Sequence, residues 1–135
     1  MASKVAVVKI EENAQASLRK ALELIEGIED LNSKNRNVVI KLGVFDQKGK
    51  NHTSVDIVRA LINNFEAAPK IFLTESDNYR GTGSERLRLW KGLFTDRVTP
   101  FNLSEDKEVS DLDVANEKIV LSHILKKPNV FVSTH

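Results

Sequence analysis

Val38-Val39-Ile40-Lys41-Leu42 is a short, β-branched, apolar run, and two similar runs follow it, Ile71-Phe72-Leu73-Thr74 and Val130-Phe131-Val132. None alternates apolar with polar residues, which is the pattern of strands buried on both faces of a parallel sheet. Between the first two runs, Val55, Val58, Leu61, Ile62 and Phe65 recur at helical spacing, so the connection reads as an amphipathic crossover helix. Thr53-Ser54-Val55-Asp56 predicts its start, with Thr53 as cap and Asp56 as reciprocal acceptor. Pro69 separates that helix from the next strand.

Working outward, Val5-Ala6-Val7-Val8-Lys9-Ile10 predicts a further buried strand. Asn13 then caps a helix whose apolar face runs through Leu18, Ala21, Leu22, Ile25 and Ile28, with Gly27 as its stop. Downstream, a third helix starts near Thr82 and Glu85 and buries Leu87, Trp90, Leu93 and Phe94. A strand at Val98 to Phe101 contains Pro100, which places it at a sheet edge or strand end. Residues 104–117 are acid-rich and read as a solvated surface segment; Ser122 caps a brief helical turn through Leu125. Strands alternating with helices predict an α/β fold: a mostly parallel sheet with helices on both faces, three-layer α/β/α.

The bulk composition sets limits. A chain of 135 residues, 41% hydrophobic and 29% charged, suits a single domain over 1–135 with its own core. A formal net charge of +1 gives no global pull toward nucleic acid or an acidic membrane. Arg80, Arg86, Arg88 and Lys91 cluster around the third helix, but Glu85 and Asp96 dilute the patch, so nucleic-acid binding is a minor expectation. The absence of cysteine excludes disulfides, thiolate catalysis and cysteine-ligated metal. The first ten residues hold too short an apolar run for a signal peptide or a spanning helix, so no membrane is expected and a cytoplasmic location is.

In parallel sheets ligands bind beyond the carboxyl ends of the strands. Three polar segments fall there: residues 41–53, 75–85 and 133–135. The first two connections, about ten and eight residues, exceed the usual span of about two to six. Lys41 at a strand end suits an anion, and His52 and Thr53 precede a helix start. Glu75-Ser76-Asp77 places two acids and a hydroxyl at a strand end, a common setting for metal or hydroxyl recognition, but loop capping by Ser76 and Asp77 is the favoured explanation of the same residues. Gly81-Thr82-Gly83 lacks the spacing and lysine of a phosphate loop and reads as a turn. The acids between 105 and 113 miss the calcium-loop spacing, and His52, His123 and His135 form no metal-binding pattern, so no metal is expected; the cofactor is left open.

Taken in order, Val38-Val39-Ile40-Lys41, Thr53 opening a helix, Glu75-Ser76 after a strand, and Asn129-Val130-Phe131-Val132-Ser133-Thr134-His135 form a pattern that resembles the domain of unknown function 362 family. That family's pattern runs through a strand ending VIKPN, a helix after a threonine, a strand leading to ES and a strand leading to PKLKTH. Leu42-Gly43 stands where the family has Pro-Asn, and only Thr134-His135 remains of the last motif. The resemblance implies functional positions at Lys41, Thr53, Glu75, Ser76, Thr134 and His135. Many members are longer and carry a ferredoxin-like iron–sulfur module, which implies that this chain is an N-terminal portion of a longer protein.

Two functions are expected. In the first, the domain belongs to a redox-linked enzyme that binds a small anionic metabolite at the C-terminal edge of the sheet. Lys41, His52, Thr53, Ser76 and Thr134 hold the ligand, while Glu75 and His135 handle protons. In the second, it is a non-catalytic assembly module that docks to a ferredoxin-like partner.

Overall fold

The computed structural model describes residues 3–11, 13–46, 51–127 and 129–134. Its centre is a four-stranded, all-parallel sheet of β1 (Val38–Lys41), β4 (Ile71–Glu75), β5 (Val98–Asn102) and β8 (Val130–Ser133), in the order β5-β4-β1-β8. β1 lies inside the sheet with Val38 level with both Ile71 and Val130. The same register sets Lys41 beside Thr74 and Ser133, and Glu75 beside Asn102. The carboxyl ends of all four strands therefore finish at one rim.

Period-two geometry sorts the strand residues between the faces. Val38, Ile40, Ile71, Leu73, Val98 and Val130 point to one side and form the core with Val58, Ile62 and Phe65 of α2 (Val55–Asn64). Leu87, Trp90 and Leu93 complete it from α3 (Gly83–Leu87) and the 3₁₀ turn Arg88–Leu93. α1 (Ala14–Leu24) packs principally against α2. On the opposite face Val39 is buried and Phe72 meets Phe101 edge-on at 5.8 Å, but Phe131 of β8 is 54% exposed. The expected α/β sheet is present; cover by helices on that second face is partial.

Strand order explains how the chain reaches both sides. β1, β4 and β5 step outward in one direction through α2 and α3, on the core face. β8 then returns to the other flank of β1, and right-handed crossovers place that return on the second face. The return carries an antiparallel hairpin, β6 (Glu108–Val114) and β7 (Glu117–Ser122), and the single turn α4 (His123–Lys126). The sequence reading took this acid-rich stretch for an irregular surface segment. Ala115 and Asn116, both at positive φ, make the two-residue turn whose twist matches a hairpin, without the glycine that usually signals it.

Other expectations are corrected. Residues 5–10 form no strand; they run extended beside α1, with Val5 86% exposed and Lys4 paired to Glu26. β-branching favours extension, but no strand edge receives them. Gly27 stops α1 as expected, yet the helix ends at Leu24: the amides of Glu26 and Gly27 bond back to Glu23 and Leu22, a Schellman closure. Ser54, not Thr53, caps α2, its hydroxyl accepting from the Ile57 amide. Asp106 rather than Ser122 supplies the acceptor at the start of α4, taking bonds from the Ile124 amide (2.8 Å) and the Ser122 hydroxyl (2.6 Å). Thr82 and Glu85 form the capping box of α3, but the helix breaks at Trp90, where φ is −107° and ψ 16°. The segment after β1 folds back as a short hairpin, β2 (Val44–Asp46) with β3 (Asn51–His52).

Ile40→Ala, at the centre of this core, is expected to cost about 2–5 kcal/mol in chemical denaturation. Val5→Ser is expected to change stability by no more than about 0.5 kcal/mol, as for an exposed side chain; a large loss there would restore the buried N-terminal strand.

Candidate functional site

At the rim where the strands end, a cleft of about 860 Å³ opens between the termini of β1 and β8, the β2–β3 hairpin and the start of α2. β1 and β8 are neighbours in the sheet, and their carboxyl ends lie at the edge where parallel sheets bind ligands. Lys41, His52, Thr53, Glu75, Ser76 and Thr134 all line it. His135, the remaining candidate, lies outside the described residues.

The floor is charged. Glu75 ends β4 with only 1% of its surface exposed. Its Oε1 accepts from Lys41 Nζ at 2.5 Å and from the Ser76 amide at 3.0 Å. Its Oε2 lies 3.3 Å from Arg86 Nη2, near enough for Coulombic attraction but without an aligned hydrogen bond. Arg86 is buried as well, because its donors reach the carbonyls of Ser76 (2.7 Å) and Val44. Two cations thus face the Glu75 carboxylate, and the charge of Arg86 is felt by the Asp77 carboxyl as well. Lys41 keeps contact with water, its side chain being 22% exposed, and its remaining bond to the Leu42 carbonyl is long at 3.4 Å. An ammonium has three donors, so Lys41 can offer one to a ligand.

The wall toward β8 is built of hydroxyls. Thr53 and Thr134, 81 residues apart, bring their Oγ1 atoms to 2.9 Å. Thr134 Oγ1 also lies 3.2 Å from the Lys41 carbonyl and Thr53 Oγ1 3.4 Å from that of Gly43, so either hydroxyl can donate to the other. The Gly43 amide lies 3.3 Å from both hydroxyl oxygens. Because Ser54 took over the capping of α2, the Thr53 hydroxyl was released for this contact. The Thr53 carbonyl accepts from Trp90 Nε1 at 3.2 Å and from His52 Nδ1 at 3.0 Å. A carbonyl only accepts, so in this bond Nδ1 is the donor. The imidazole also stands edge-on to Trp90, with centroids 5.7 Å apart.

Asp77 stands back from the cleft and fastens α3 to the rim. Its Oδ1 accepts from the Gly83 amide (2.7 Å) and from Asn102 Nδ2 (2.9 Å), and these bonds hold its carboxyl below the usual carboxylate range. A side chain on Gly83 would strike Asn102 and the Glu75 carbonyl, so this junction admits only glycine. Of the two residues read as loop caps, Asp77 makes these side-chain contacts, while Ser76 contributes through its backbone amide and carbonyl.

Arg86 is the residue that sequence reasoning misplaced. It was grouped with Arg80, Arg88 and Lys91 as a surface patch, whereas it turns inward beneath Glu75. The signal was present: Arg86 and Trp90 are four apart and share the face that Trp90 buries. Gly43, Phe45, Asn51 and Asn78 also line the cleft and carried no motif. Among the described residues no group of three or more His, Asp or Glu side chains is placed to hold a metal ion, and no helix is long and apolar enough to cross a membrane. No family model, curated protein or solved structure matches the chain.

Glu75→Gln removes the only anion between two inward-facing cations. It is expected to lower stability by about 2–4 kcal/mol, less than the largest losses for broken buried pairs because Lys41 can turn to solvent. Asp77 has a depressed folded-state pKa, so its contribution is complete above the unfolded carboxylate pKa and is lost as pH falls through the folded value. Asp77→Asn should therefore flatten the acid limb of stability measured by urea denaturation between neutral pH and about pH 3.

Proposed function

We propose that the domain binds a small anionic metabolite, a phosphate or carboxylate, in the cleft between the ends of β1 and β8. The observation that carries this reading is the Lys41 ammonium on the cleft floor, held by Glu75 and offering a donor to the solvent side. A charged hydrogen bond from an ammonium partly shielded from water contributes more than a neutral one. Glu75 holds Lys41 in position, and His52 borders the same space. The volume suits a metabolite larger than an inorganic ion.

Membership of the domain of unknown function 362 family belongs to the same proposal. The short motifs behind it end β1, β4 and β8, and five of the six positions it implies border this cleft. Part of a redox-linked enzyme is the wider role proposed with it. The burial of Glu75 behind Lys41 favours orientation of the ammonium over direct attack on a ligand.

Titration with inorganic phosphate, and separately with succinate, should displace the amide resonances of Gly43, Thr53 and Thr134 before any others. Lys41→Gln should weaken that binding about tenfold, the worth of one charged hydrogen bond. Shifts confined to other surfaces, or affinity indifferent to Lys41→Gln, would end this reading.

Docking of a ferredoxin-like partner is the second reading, and one observation favours it. β8 is the last strand in the sheet order and presents Phe131 to solvent. A two-iron plant-type ferredoxin should broaden the β8 amide resonances if it docks there; a spectrum left unchanged would dismiss it.

A further inference from the structure

At the mouth of the cleft, where β2 meets the loop after β4, three side chains form a stack that the charged floor does not explain. Phe45 lines the cleft and is 63% exposed. The Arg80 guanidinium lies over its ring, 4.0 Å from the centroid, and also over Tyr79 at 5.0 Å. Arg80 is itself held: Nε donates to the Tyr79 hydroxyl at 2.7 Å, Nη1 to the Phe45 carbonyl at 3.3 Å, and its amide to Asn78 Oδ1 at 2.8 Å. A single exposed phenylalanine is ordinary on a protein surface. A phenylalanine whose ring is backed by a pinned guanidinium and forms the wall of a cleft is a preorganised aromatic surface.

We propose that the ligand is a phosphate monoester of a planar heteroaromatic ring, a nucleotide in the general chemical sense. Its phosphate meets Lys41 and its ring stacks on Phe45 at the mouth. The inference rests on the anion site proposed above and adds the chemistry of the ligand's other end. The cleft volume is within the range that encloses a ligand of this size and far beyond what phosphate alone occupies. Stacking accepts any base with a π-face, and the guanidinium behind Phe45 adds cation–π attraction to the stack. Asn51 and Asn78, whose amides both donate and accept, border the same mouth and can meet ring heteroatoms.

The test uses AMP, UMP and flavin mononucleotide against inorganic phosphate and adenosine, by calorimetry and proton NMR on the whole chain. At least one of the three monoesters should bind about tenfold or more tightly than phosphate, the usual worth of one stacked ring. Its ring protons should move upfield in the current of Phe45. Phe45→Ala should remove both the gain and the upfield shift while leaving phosphate affinity unchanged. Arg80→Ala should produce a partial loss. If all three esters bind no better than phosphate, or if Phe45→Ala leaves their affinity intact, the ring contact is wrong and the anion site stands. If neither phosphate nor any ester perturbs Gly43 and Thr134, both readings fall.

Discussion

Glu75 brings a carboxylate to the end of an interior strand, where 1% of the residue meets solvent. Burying such a group is costly unless opposite charge and hydrogen-bond donors surround it. Much of the rim can be understood as that compensation. Lys41 comes from the neighbouring strand, level with Thr74. Arg86 turns inward from α3, and the Ser76 amide closes the turn. Arg86 in turn needs acceptors and finds them in two backbone carbonyls, one at each side of the cleft. The positions of β2, of the loop after β4 and of α3 are thereby tied to one ionised group.

The same compensation is the basis of the proposed binding surface. Of the two cations drawn toward Glu75, Lys41 is the one that still touches water. The parallel register places it at the rim where all four strands end, the edge at which such sheets bind ligands.

How much of this was legible depended on the range of the interaction. β1, β4 and β8 were readable as strands from their uniform apolar runs, and their common direction followed from the helices between them; burial on both faces holds for β1 and β4, whereas β8 is an edge strand with Phe131 exposed. The position of Lys41 and Glu75 at one rim followed too. Residues 5–10 were misread because β-branching reports a preference for extension and says nothing about a partner edge. The hairpin of β6 and β7 was missed because its turn uses Ala115 and Asn116 in a conformation that favours glycine. Arg86 was misread because charge was weighed above its helical phase with Trp90. The Thr53–Thr134 contact was out of reach, since it needs the final register of β8 against β1.

That contact has a consequence for the sheet as a whole. β8 joins the sheet through one neighbour, and its far end is fastened where the Thr134 hydroxyl meets that of Thr53 and the Lys41 carbonyl, beside the bond from the Thr134 amide to the same carbonyl. An anion engaging the Thr53 hydroxyl in the proposed site would compete with that contact. Filling the crevice and loosening the end of the terminal strand would then bias each other by an equal free energy.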